Sequence, residues 1–102
     1  MELLTEEIKQ QLPRLYEQEG RGEETIVYLK LFTPDANWTW YITEYDPDER
    51  IFFGLVDGLE KEWGYVSLDE LQAVRGPLDL AVERDINFTP TSLKELKKQG
   101  LV

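Results

Sequence analysis

The chain contains no histidine and no cysteine. Without thiols, disulfides, thiolate catalysis and cysteine-ligated zinc are excluded. Without imidazole it lacks the commonest general base at neutral pH and the commonest transition-metal ligand, so Ser-His-Asp and His-metal designs cannot be built within it. No apolar run approaches the length needed to cross a bilayer, and the N-terminal stretch MELLTEEIKQQ is acidic where a targeting segment would be basic. Positive charge is also scarce: 11 Lys and Arg stand against 21 Asp and Glu, a net charge of −10. That field repels nucleic acid unless a local basic patch overrides it. The only basic group of residues, Lys94, Lys97 and Lys98, suits the negative end of a short helix dipole. The absences together lead to the expectation of a cytoplasmic protein with no cofactor, no membrane contact and no direct nucleic-acid partner.

What is present argues for a folded chain. Hydrophobic residues make up 41% and aromatics 12% of 102 residues, enough for one core and a single domain spanning 1–102. Thr5 caps a helix that starts with Glu6 and Glu7; Leu4, Ile8, Leu12 and Leu15 recur at helical spacing as an apolar stripe, and Pro13 inside that pattern is expected to kink or restart the helix near Leu12. EQEGRGEE reads as a charged loop. ETIVYLKLF is a strand, with Val27, Leu29 and Leu31 expected on one face. WTWYIT alternates with period two and reads as a half-buried strand, while RIFFGLV, apolar on both faces, is expected to lie inside the sheet. Asp57-Gly58 signals a type I′ turn that would set Val56 against Leu59 and Phe52 against Trp63. Ser67 with Glu70, and Ser92 with Glu95, form capping boxes for two further helices, the last ending at Gly100. The segment between them reads as irregular, then extended around Val82 to Phe88. The expected fold is α+β: a four-stranded antiparallel meander with N-terminal, middle and C-terminal helices mainly on one face.

Three blocks, LFTPDANWTWYITEYD, FFGLVDGLEKEWGYVSLDEL and RGPLDLAVERDINF, closely resemble a bacterial family of small proteins known as domain of unknown function 2958. The resemblance runs from LLTEEIKQQLP through SLKEL. It implies a stand-alone domain, often carried on plasmids, phages and integrated elements, with no established activity and no catalytic residues to transfer. It also brings a mobile-element role, such as interference with host defence, into consideration.

Candidate binding residues follow from side-chain chemistry. Trp38, Trp40 and Tyr41 could form a stacking platform with Asp35 and Asn37 orienting the ligand, although strand-spaced aromatics more often build core, the reading preferred for Trp40. Acidic residues gather at two turns, where solvation is their ordinary role. Glu62 stands apart, because the expected register places it beside Trp63 and across from Phe53. Arg75 and Arg84, the latter flanked by Asp85, could anchor an anionic ligand or bridge loop carbonyls. A pocket, if formed, is expected to gather Trp38, Glu62, Arg75, Arg84 and Asp85, together with Asp35 and Asn37.

The favoured function is a non-catalytic interaction module that recognises a basic or amphipathic protein surface. A sharper form imitates nucleic-acid phosphates to obstruct a defence or nucleic-acid-processing complex. The alternative is a carboxylate-dependent enzyme acting on a nucleotide or sugar with a divalent metal. A third reading, a subunit that needs a partner to cover its sheet, would show itself as exposed aromatics on the face opposite the helices.

Overall fold

Each helix begins where a hydroxyl side chain can accept a free backbone N–H. Thr5 accepts from Ile8 at 3.2 Å, Ser67 from Glu70 at 3.2 Å and Ser92 from Glu95 at 3.1 Å. Such a cap is worth about 1 kcal/mol. The computed structural model describes residues 1–102. Its elements in chain order are α1 (Glu6–Gln11), a 3-10 turn (Gly22–Glu24), β1 (Ile26–Val27), β2 (Leu29–Phe32), β3 (Thr39–Asp46), β4 (Ile51–Asp57), β5 (Lys61–Ser67), α2 (Leu68–Ala73), β6 (Glu83–Arg84), β7 (Thr91–Ser92) and α3 (Leu93–Lys98). α1 stops before Pro13, whose ring would collide with the preceding turn. α3 closes with a Schellman motif: Gly100, at φ 75°, donates to Lys97 and Leu101 donates to Leu96, both at 3.0 Å.

The main sheet is antiparallel with strand order β5-β4-β3-β2-β6, so the meander gains a fifth strand rather than stopping at four. The addition is β6, two residues of the extended segment, which pairs Arg84 with Leu31 and Glu83 with Phe32. The expected first strand is divided at Tyr28. β1 leaves the main sheet to pair with β7, and Val27 therefore joins the opposite face from Leu29 and Leu31.

Apolar side chains fill both faces. One face carries Leu29, Leu31, Trp40, Ile42, Tyr45 and Phe52 beneath α1 and α2, which contribute Ile8, Leu68 and Leu71. The other carries Val27, Tyr41 and Leu55 beneath Leu93 and Leu96 of α3. The helices therefore divide between the two faces, and β3 is buried on both sides rather than half-buried. Phe52 lies in the middle of the larger core with no exposed surface; removing such a ring costs about 3–5 kcal/mol.

Two local features decide which side chains point where. β3 carries a bulge: Ile42 faces Gly54 and Glu44 faces Phe53, leaving Thr43 without a counterpart in the β4 register. One extra residue reverses the alternation, so Glu44 joins the α3 face and Tyr45 the opposite one. The β4–β5 connection is the second. Asp57 pairs with Lys61, Val56 with Glu62 and Phe52 with Val66, around a loop of Gly58, Leu59 and Glu60. A type I′ turn needs positive φ at both central residues, and neither Asp57 nor Gly58 has it. Gly58 has a different task. A Cβ there would strike the ring of Trp38, which packs flat over the loop.

Candidate functional site

The reversal at the bulge aims Glu44, only 5% exposed, towards the loop after α1. Its two oxygens accept the backbone N–H groups of Tyr16 and Gln18, each at 2.9 Å. Gln18, itself buried, completes the clasp. Its amide donates to the carbonyls of Ile26 and Thr43 at 2.9 Å, and its oxygen accepts from the N–H of Ile26 at 2.8 Å. A buried carboxylate is tolerated because both oxygens are paired with N–H donors. The clasp holds Tyr16 at φ 73°, a conformation an aromatic residue rarely adopts. From there its hydroxyl meets that of Tyr65 on β5, 3.0 Å away.

Across from this loop stand the aromatics of the β4–β5 hairpin. The Phe53 ring lies 5.8 Å from Trp63 and 5.0 Å from Tyr65, centroid to centroid. Trp63 is 48% exposed, Tyr65 54% and Tyr16 63%. Between the loop, the hairpin and α3 lies an open cleft of about 590 Å³, floored by Leu55 and Thr43 and bordered by Leu93 and Lys97. Glu19 and Glu23 stand on its rim, and Glu23 pairs with Lys97 at 3.1 Å. The hydrogen bond to Tyr16, then desolvation, raises the Tyr65 pKa above the ordinary phenol value, keeping it a neutral donor. The cleft offers ring faces, two phenolic hydroxyls and an acidic rim. That set suits an apolar side chain flanked by positive charge.

The residues marked by the sequence lie elsewhere. Asn37, Trp38, Arg84 and Asp85 come together around a shallow concavity of about 750 Å³ at the β2–β6 end of the sheet. Arg84 donates through Nε to the carbonyl of Glu2 at 3.2 Å, and Asp85 pairs with Lys30 at 3.6 Å. Trp38 stacks on buried Trp40, their centroids 6.0 Å apart. Asp35 turns away to accept the N–H of Leu78 at 2.7 Å and lies against Gly76. Arg75 sits apart from both, its guanidinium donating to the carbonyls of Gln72 and Val74 at the end of α2. Glu62, exposed, faces Val56 on the opposite side of the sheet from Phe53 and Trp63. The loop register moves it there, because the expected pairing is three residues out of step.

Sequence patterning does not single out Tyr16, Gln18, Glu44 or Tyr65. Gln18 and Glu44 are separated by 26 residues, and only the bulge brings the carboxylate to this face. The one available signal is the spacing of Trp63 and Tyr65 on a strand next to a glycine-containing turn. No three acidic side chains are grouped in a way that could hold a metal ion, and no helix is long and apolar enough to cross a membrane.

A family model described as "Protein of unknown function (DUF2958)" matches residues 3–96 of the chain. No curated protein matches it, and no solved structure does.

Proposed function

The chain belongs to the DUF2958 family, a membership that brings no activity with it, and from its surface we propose that it is a non-catalytic interaction module whose aromatic cleft captures a basic, amphipathic segment of another protein. The observation that carries this reading is the trio Tyr16, Trp63 and Tyr65, all exposed and gathered on one cleft. Rigid aromatic side chains lose little conformational entropy on binding and dominate the energetics of protein interfaces. The surrounding charge points the same way, since a net −10 and the rim residues Glu19 and Glu23 steer a positively charged partner inwards. Proteins that bind nucleic acid carry basic faces, so a partner from a defence or nucleic-acid-processing complex fits the reading.

A photo-crosslinking amino acid placed at Tyr65, with a control at exposed Leu78, tests it in cells that produce the protein. A defined partner should crosslink from position 65 and not from 78. Binding of that partner to the purified chain should weaken as salt rises and fall about tenfold or more in Trp63→Ser, whose circular dichroism stays unchanged. Equal labelling from both positions, or binding indifferent to salt and to Trp63, overturns the reading.

A further inference from the structure

The two edges of the main sheet are finished differently. The β6 edge is two residues long, and its Arg84 N–H is taken by the sulfur of Met1 at 3.0 Å. The β5 edge runs for seven residues and no strand pairs with its outer side. Its hydrogen-bonding phase follows from the two ends of the hairpin. Leu68 donates to the carbonyl of Arg50 at 3.0 Å, and Gly58 donates to that of Glu60 at 3.1 Å. Bonded and non-bonded pairs alternate along an antiparallel ladder, so Glu62, Gly64 and Val66 turn their backbone groups towards β4. Lys61, Trp63 and Tyr65 turn theirs outwards.

Two of the residues with free backbone groups, Trp63 and Tyr65, are thus ones whose side chains border the cleft. A strand added here would place alternate side chains beside Trp63 and Tyr65, and the intervening ones beside Glu62 on the other face. On that face Gly64 leaves room, because nothing lies within 4 Å of where its Cβ would stand. We propose that β5 is a docking edge on which an extended segment of the partner adds as a further strand, with apolar residues against Trp63 and Tyr65 and lysine or arginine residues between them, reaching Glu62. The inference rests on the interaction-module reading and specifies how the partner is held. Charge selects this occupant over a second copy, which would bring another net −10 and a second Glu62 to the same edge.

The probe is a synthetic acetylated and amidated peptide, Val-Lys-Phe-Lys-Val-Lys, added to the full chain and followed by NMR with hydrogen exchange. A second peptide of the same sequence carries N-methyl groups on the alternate backbone nitrogens that would face β5. In the free chain the amides of Lys61, Trp63 and Tyr65 should exchange fast, and those of Glu62, Gly64 and Val66 slowly. Saturation with the first peptide should slow the three outward amides about tenfold or more, and methylation should weaken binding by a similar factor. Equal binding of both peptides without slowed exchange overturns strand addition and leaves the interaction reading standing. Absence of any shift at Trp63 and Tyr65 also overturns it, while the crosslink from position 65 decides the interaction reading separately. Protection of the same amides without peptide, growing with protein concentration, assigns the edge to a second copy and overturns the proposal.

Discussion

Gln18 and Glu44 hold one another across 26 residues of chain: the backbone N–H of Gln18 donates to the Glu44 carboxylate at 2.9 Å, while the Gln18 amide donates to the carbonyl of neighbouring Thr43 at 2.9 Å. The pair fastens a glycine-rich, charged loop onto the bulge of β3. One wall of the cleft, including Tyr16, stands on that fastening.

Replacing the carboxylate tests it directly. Glu44→Gln keeps the shape but turns an amide NH2 towards a backbone N–H, setting two donors face to face with no acceptor between them. The expected loss is about 2 kcal/mol in urea denaturation, with the Tyr16 resonances shifted towards random-coil values. A loss below roughly 0.5 kcal/mol would show that the loop holds its place without the carboxylate.

Gly54 and Gly64 face each other on β4 and β5, yet they should respond differently to the same methyl group. A Cβ on Gly54 collides with the carbonyl of Tyr41 on β3, whereas one on Gly64 meets open space. Gly54→Ala is expected to cost about 2–3 kcal/mol through separation of two central strands, and Gly64→Ala to stay within about 0.5 kcal/mol of the parent. Thermal or urea unfolding of both variants reads the difference, and equal effects would contradict the close β3–β4 approach.

Alkali should unfold the protein through its buried phenols. Burial, then the charge of Asp57, raises the pKa of Tyr41; burial chiefly raises that of Tyr45, with Arg50 opposing and Asp69 and Asp46 adding to it. A raised folded value favours the neutral phenol, so the unfolded chain loses its protons first. The stabilisation is full below the ordinary tyrosine value of about 10 and is lost as pH rises through the higher folded values. Urea midpoints should hold level from about pH 8 and decline above about pH 10, with a shallower decline in Tyr41→Phe/Tyr45→Phe. A decline of unchanged steepness in that variant would assign it to other groups.

Gly58→Ala is a probe of Trp38. The added methyl group occupies the space of the indole, so the ring must leave the loop and its stack on Trp40. Near-ultraviolet circular dichroism should lose intensity and tryptophan emission should move to the red, with a stability cost of about 1–3 kcal/mol. Unchanged spectra would mean that Trp38 does not rest there.

Where residues act on near neighbours, the amino-acid pattern alone is enough. Thr5, Ser67 and Ser92 cap helices because a hydroxyl reaches the N–H three residues on, and that distance is set locally. The succession β2-β3-β4-β5 follows from alternating apolar residues and intervening turns. Long-range geometry is where the pattern stops. Asp57-Gly58 carries the composition of a two-residue turn, but packing of Trp38 on Gly58 accompanies a longer loop and a shifted register. β6 is too short to show a period. The candidate cleft depends on an unpaired Thr43, and nothing in the alternation around it marks the extra residue.

That extra residue works as a counter for everything downstream in its strand. Were the bulge ironed out, with Thr43 kept and paired to Phe53, the composition would not change, but inside and outside would trade places from there on: the acid would enter the oily side beneath the first two helices, and Tyr45 would surface in its stead. Substitutions can dent this molecule at many points. A slip of one residue here would turn a strand over, so the register at this spot matters more than which side chain occupies it.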